Sequence, residues 1–117
     1  MRSDRLYVQD ILDAIAEVAR HLPADRASFD ANPLLQSHIL RHVQIVGEAA
    51  FRITPIVKAA QPAIPWRQIS GMRHIIVHDY FRVNWDVVFR TATDDLPALK
   101  PLVETLLASL PPDSRTP

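Results

Sequence analysis

Between Gly71 and Tyr80 the chain reads GMRHIIVHDY, which threads Arg73, His74, His78, Asp79 and Tyr80 through an apolar Ile-Ile-Val run. A core helix avoids that many ionisable groups, and a solvent loop has no use for branched aliphatics, so the stretch marks a candidate site. Histidine both takes and gives a proton near neutral pH. Arginine holds phosphate oxygens in a planar fork and stays charged. Arg73 and His78 together are the minimal set for cleaving a phosphodiester without a metal. In that chemistry His78 removes a proton from a ribose 2′-hydroxyl or donates one to the leaving oxygen. Arg73 offsets the extra negative charge of the pentacovalent state.

One straight helix does not aim these groups at a single target. At about 100° per residue over positions 66–80, Ile69, Met72 and Ile76 form the core stripe, and His74 and His78 face away from it. Arg73 then lies roughly 140° from His78. Either the helix is irregular near Gly71 or beyond His78, or two copies meet across a symmetric dimer and share one cleft. The dimer is the favoured expectation, because it also covers apolar surface that a small bundle leaves open.

Arg73 near an apolar face needs an anion, since an unpaired buried charge is costly. Glu48, embedded in IVGEAA, is the expected partner, and Gly47 beside it permits close approach of a second helix. The plainer readings are an Arg73–Glu48 pair that only specifies the fold, surface histidines with no task, and a packed Tyr80. Two i, i+4 pairs, His74/His78 and His38/His42, are spaced to grip a metal, and Asp79 can join the first. With no cysteine and no HExxH pattern, the sequence predicts no bound metal and no cofactor.

The elements that position these residues are helical. At 117 residues, with two glycines and ten prolines, the chain predicts one all-α domain over 1–110, an antiparallel bundle of four or five short, sharply ended helices. The first spans SDRLYVQDILDAIAEVARHL, with Ser3 or Asp4 as cap and Pro23 after its end. PADRASFDAN connects it, with room for a short turn, to a helix opened by Asn32-Pro33 that runs along Leu35, Ile39, Leu40, Val43, Val46, Ala50 and Phe51. A third helix begins near Trp66 and carries the motif. Asn84 caps a fourth, WDVVFRTATDDL, and Asp94 or Asp95 with Pro97 starts a fifth that Pro101 interrupts. The 111–117 tail, PPDSRTP, buries nothing and is expected to be disordered.

Net charge is zero, so no global field advertises nucleic acid or an anionic membrane. Arg67, Arg73, Arg82 and Arg90 are close enough in sequence to make a local basic cleft. Trp66, Phe81 and Trp85 could stack on bases, although core packing suits each better. With no basic-then-apolar leader and no run of eighteen apolar residues, a cytoplasmic protein that does not span a membrane is expected.

Arg73, four residues, His78, one residue, Tyr80 resembles the R-x4-H-x-Y signature of HepT-like toxins in the HEPN superfamily. IVGEAA (45–50), IPWRQISGMRHIIVHDYF (64–81) and DDLPALKPLVETLL (94–107) resemble that family's blocks in the expected order, and the likeness covers most of residues 5–108. The resemblance implies an α-helical homodimer acting as a metal-independent endoribonuclease toxin, with Arg73 and His78 of both subunits lining one cleft and RNA as substrate. His74 fits the polar residue that usually follows the arginine. The implied partner is a minimal nucleotidyltransferase antitoxin that transfers AMP to the motif tyrosine, here Tyr80. The competing reading is a non-catalytic helical module that keeps the motif to bind a nucleotide or that nucleotidyltransferase.

Overall fold

A computed structural model describes residues 2–74 and 83–112. The elements are α1 (Asp4–His21), α2 (Arg26–Asp30), α3 (Pro33–Arg52), α4 (Pro55–Ala59), α5 (Trp66–Gly71), a 3₁₀ turn (Met72–His74), α6 (Trp85–Arg90), a π-helical turn (Thr91–Asp95) and α7 (Leu96–Ser109). Among the described residues there is no strand, and the class is all-α, as expected.

Caps set the ends of the helices. Ser3 accepts from the Leu6 amide at the start of α1, and Asn32 accepts from the Leu35 amide with Pro33 at the first helical position of α3. Asn84 does the same for Val87 in α6. Each satisfies a backbone donor that the helix itself leaves open. Asn32→Ala is expected to lower stability by about 1 kcal/mol, visible as a lower urea midpoint at unchanged slope.

Side-chain bonds between helix ends give the topology. Asp4, at the start of α1, accepts from the Thr54 amide (2.9 Å) and hydroxyl (2.6 Å) just past the end of α3. Glu17, near the end of α1, meets His38 near the start of α3 at 3.1 Å. The two helices are therefore antiparallel. Arg5 donates to the carbonyls of Leu107 (3.3 Å) and Leu110 (3.1 Å), so α7 is antiparallel to α1 as well. Val8, Ile11, Ile15 and Val18 of α1 meet Ile39, Leu40, Val43 and Val46 of α3, with Leu96, Leu99, Val103 and Leu106 of α7 closing the core. The 22–32 connection holds α2, whose Phe29 is fully buried and contacts Trp85 and Phe89 edge-on or tilted.

Two sequence expectations need correction. The fourth and fifth helices are one continuous rod, with Asp95 in αR backbone and making no side-chain cap. Pro97 has no N–H to give and its ring would crowd the carbonyl four residues back. The chain answers by widening rather than breaking: the Leu96 amide donates to Thr91, five residues back, and the Thr93 hydroxyl donates to the Phe89 carbonyl at 2.8 Å. Phe51, expected on the core face of α3, is 47 % exposed. No helix among the described residues is long and apolar enough to cross a membrane.

Candidate functional site

The motif enters where α5 gives way to the 3₁₀ turn. Helix α5 begins at Trp66, whose indole N–H donates to the carbonyls of Lys58 and Gln61 and so anchors the entry. Regular α-geometry ends at Gly71, and Met72, Arg73 and His74 form the tighter turn. The straight 66–80 helix assumed from the sequence is therefore broken before His74. The first of the two proposed routes to convergence, irregularity near Gly71, is present in the fold. Gly71 itself does not use positive φ.

What holds the turn is Gly47. A Cβ there would stand 2.4 Å from the Arg73 backbone nitrogen and 3.0 Å from both the Ile69 oxygen and the Met72 carbonyl carbon. Backbone rests on backbone at this crossing, and only glycine leaves the room. The Gln44 side chain adds a hydrogen bond to the Arg73 carbonyl at 3.5 Å.

Arg73 is held by an aromatic ring. Its guanidinium carbon lies 3.5 Å from the centre of the Phe51 ring, and its Nε is buried without a hydrogen-bond partner. No carboxylate among the described residues pairs with it. The expected Arg73–Glu48 pair is not formed: Glu48 accepts from Arg52, one turn along its own helix, at 3.0 Å. The i, i+4 partner is within easy reach on the same face, and Phe51 has taken Arg73 instead. A face-on cation–π contact contributes about 0.5–2 kcal/mol, depending on desolvation. That offsets part of the roughly 2 kcal/mol of rotamer entropy a long cation carries. An open buried donor costs about 1–3 kcal/mol and such groups recur where a ligand is to be met.

Arg73 and His74 line an open cleft of about 430 Å³ with Arg41, Gln44, Ile45 and Glu48. Its floor is one face of α3, made by positions 41, 44, 45 and 48. Glu48 is matched by Arg52, and among the described residues no carboxylate forms an ion pair with Arg41 or Arg73 in the cleft. This places Arg73, His74 and Glu48 together, as the sequence reading grouped them. His78, Asp79 and Tyr80 lie outside the described residues.

Phe51, Arg41 and Gln44 were not singled out from the sequence. Their signal was the same helical stripe that carries Gly47 and Glu48, readable once α5 is known to cross there. The basic set expected from sequence falls differently: Arg90 borders a separate hollow with Gln68, Met72 and Leu99, and Arg82 lies outside the described residues. Trp66 and Trp85 are half-buried parts of the packing, and Phe81 lies outside the described residues.

An all-helical domain with an arginine displayed on a helix crossing, followed by a histidine and a tyrosine at motif spacing, defines a HEPN-type fold. The chain belongs to the ribonuclease HepT-like family, whose profile matches residues 11–106. A protein of Thermococcus cleftensis named "Probable ribonuclease HepT" is 34 % identical over 108 residues, covering 90 % of this chain and 96 % of that one. "Putative RNase MJ1380" of Methanocaldococcus jannaschii is 27 % identical, covering 88 % of this chain and 95 % of its own length. "Putative RNase TTE0752" of Caldanaerobacter subterraneus is also 27 % identical, covering 92 % and 96 %. No solved structure matches the chain significantly.

Proposed function

We propose that this protein is a metal-independent endoribonuclease, the toxin half of a toxin–antitoxin pair, with a composite cleft built by two subunits. The observation that carries the reading is Arg73: a guanidinium resting on Phe51, in a cleft with Arg41, with no carboxylate among the described residues paired to it. An arginine held open in this way is preorganised for a phosphate. Family membership supports RNA as the source of that phosphate.

In the proposed reaction a ribose 2′-oxygen attacks the adjacent phosphorus as one histidine takes its proton. The P–O5′ bond breaks, a histidine protonates the leaving 5′-oxygen, and a 2′,3′-cyclic phosphate remains. Two copies of His78 across a symmetric cleft divide the base and acid roles, while Arg73 meets the charge on the equatorial oxygens. The exposed Phe51 beside Arg73, and Ile56 at 85 % exposure nearby in sequence, favour burial of this face against a second subunit. Regulation follows the same electrostatics: an adenylate on Tyr80 adds a phosphodiester anion and bulk where the RNA phosphate must sit. The partner delivering it is a minimal nucleotidyltransferase.

The test is single-stranded RNA cleavage by the purified protein in EDTA. Cleavage that persists under chelation, with cyclic-phosphate ends, is expected; complete loss in EDTA would overturn the metal-free mechanism. Incubation with ATP and the partner transferase should add one or more AMP masses to the wild type and none to Tyr80→Phe. A gain undiminished in that variant moves the acceptor elsewhere.

A further inference from the structure

Three of the chain's five histidines, His21, His38 and His42, gather where the last turn of α1 meets the first turns of α3, and the cleavage reading gives them no task. Glu17 joins them from α1. His21 Nε2 lies 3.1 Å from Glu17 Oε1, and His38 Nε2, coming from the other helix, lies 3.1 Å from the same oxygen. The rings of His21 and His38 meet edge to face at 4.9 Å, and the three ligand atoms all fall within 4.8 Å of one another. The rings of His38 and His42, the i, i+4 pair noted in the sequence, lie 4.4 Å apart and tilted. His42 donates from Nδ1 to the His38 carbonyl at 2.8 Å, and the His38 side chain reaches across the helix–helix gap to Glu17.

We propose that Glu17, His21 and His38 form a binding site for a zinc-class divalent cation. Four-coordinate zinc with nitrogen and oxygen ligands at about 2.0–2.1 Å sets neighbouring ligand atoms roughly 3.3 Å apart, close to the two separations above. Two imidazoles with one carboxylate suit zinc, nickel or copper, and they are poor partners for calcium or magnesium, which take oxygen. The Glu17 carboxyl is ready as a ligand. Burial works to raise its pKa, but the His38 hydrogen bond and the charges of Arg20 and His21 outweigh this and hold it below the usual carboxylate range. The ion would sit between Oε1 and the two Nε2 atoms, each ring binding as the neutral imidazole with its proton on Nδ1.

The side chains of Glu17, His21 and His38 are 25 %, 42 % and 36 % exposed, so an ion can enter from solvent. The fourth position falls to water or to His42, whose Nδ1 bond leaves Nε2 bare and which borders a shallow depression with Glu17, Asp10 and Asp13. Bound there, the ion ties α1 to α3 at the mouth of the 22–32 connection. That point is on the order of 15 Å along α3 from Glu48. The site is therefore a staple on the helix that carries the cleft and takes no part in the cleavage chemistry. RNA cleavage in EDTA and metal binding here are separately measurable.

Calorimetric titration of the EDTA-stripped full chain with Zn²⁺ should show one ion per chain, with a rise of several degrees in Tm, and Co²⁺ should give a four-coordinate visible spectrum. His21→Gln and His38→Gln, on half-exposed positions and checked for folding by circular dichroism, should each weaken Zn²⁺ at least about 10-fold and remove the Tm shift. Absence of binding, or binding unchanged in both variants, overturns the proposal. So does binding that survives them and disappears in His78→Ala, which places the ion on the motif pair instead.

Discussion

Replacing His78 by alanine should slow RNA cleavage by about 10²–10⁴-fold, the usual worth of positioned acid–base catalysis, and Arg73→Ala should slow it by about 10²–10³-fold. Both losses should fall on kcat more than on KM, because in the proposed mechanism each group acts on charge or protons that develop only in the transition state. Arg73→Lys should recover little. Lysine offers a point charge in place of a planar fork, and it loses the flat face that rests on Phe51. The pH–rate profile separates the two roles: it should lose its histidine limbs in His78→Ala and keep them, at a lower plateau, in Arg73→Ala. Equal rates in wild type and both variants would leave the non-catalytic binding module as the better reading.

The second large effect is expected at a residue that touches no substrate. Gly47→Ala would ordinarily help a helix interior by about 1 kcal/mol. Here the added methyl meets the Arg73 backbone nitrogen at 2.4 Å and two further backbone atoms at 3.0 Å. Backbone cannot swing aside as a side chain can, so α5 and its 3₁₀ turn must shift. Overpacking of this kind costs about 1–3 kcal/mol, which outweighs the propensity gain. A displacement of about 1 Å at a catalytic group can cost roughly 10²-fold in rate. Gly47→Ala should therefore fold with a lower Tm and cleave on the order of 100-fold more slowly. Gly71→Ala is the matched control: nothing lies within 4 Å of its added Cβ and its φ is not positive. It should fold as well as wild type or slightly better. Equal cleavage by Gly47→Ala and wild type would show that the crossing does not position Arg73.

Periodicity and capping made the helices legible. Ser3, Asn32-Pro33 and Asn84 end or start elements by local hydrogen bonds that any reader of the chain can place. Local rules misjudged the α6–α7 junction, because Pro97 looks like a break until the π-helical turn supplies a second way to accommodate a missing N–H. The short α2 was anticipated only as a turn, since its anchor is the burial of Phe29 against Trp85 and Phe89, more than fifty residues away in sequence.

At the candidate site the division is similar. Residue type and spacing alone named Arg73 and His74, singled out Glu48, and suggested that Gly47 lies under a close approach, because charge, small size and helical phase are properties of the chain. Which partner each side chain takes was decided only in three dimensions. Glu48 chose Arg52 because both stand one turn apart on α3, and Arg73 came to rest on Phe51 because α5 crosses that stripe. His38 packs on the His42 ring one turn along α3, and it also meets His21 and Glu17 because α1 and α3 run antiparallel and bring residues seventeen or more apart to one shared oxygen. Sequence pattern determines faces and ends; the crossing of those faces determines contacts, and contacts are what turn a motif into a site.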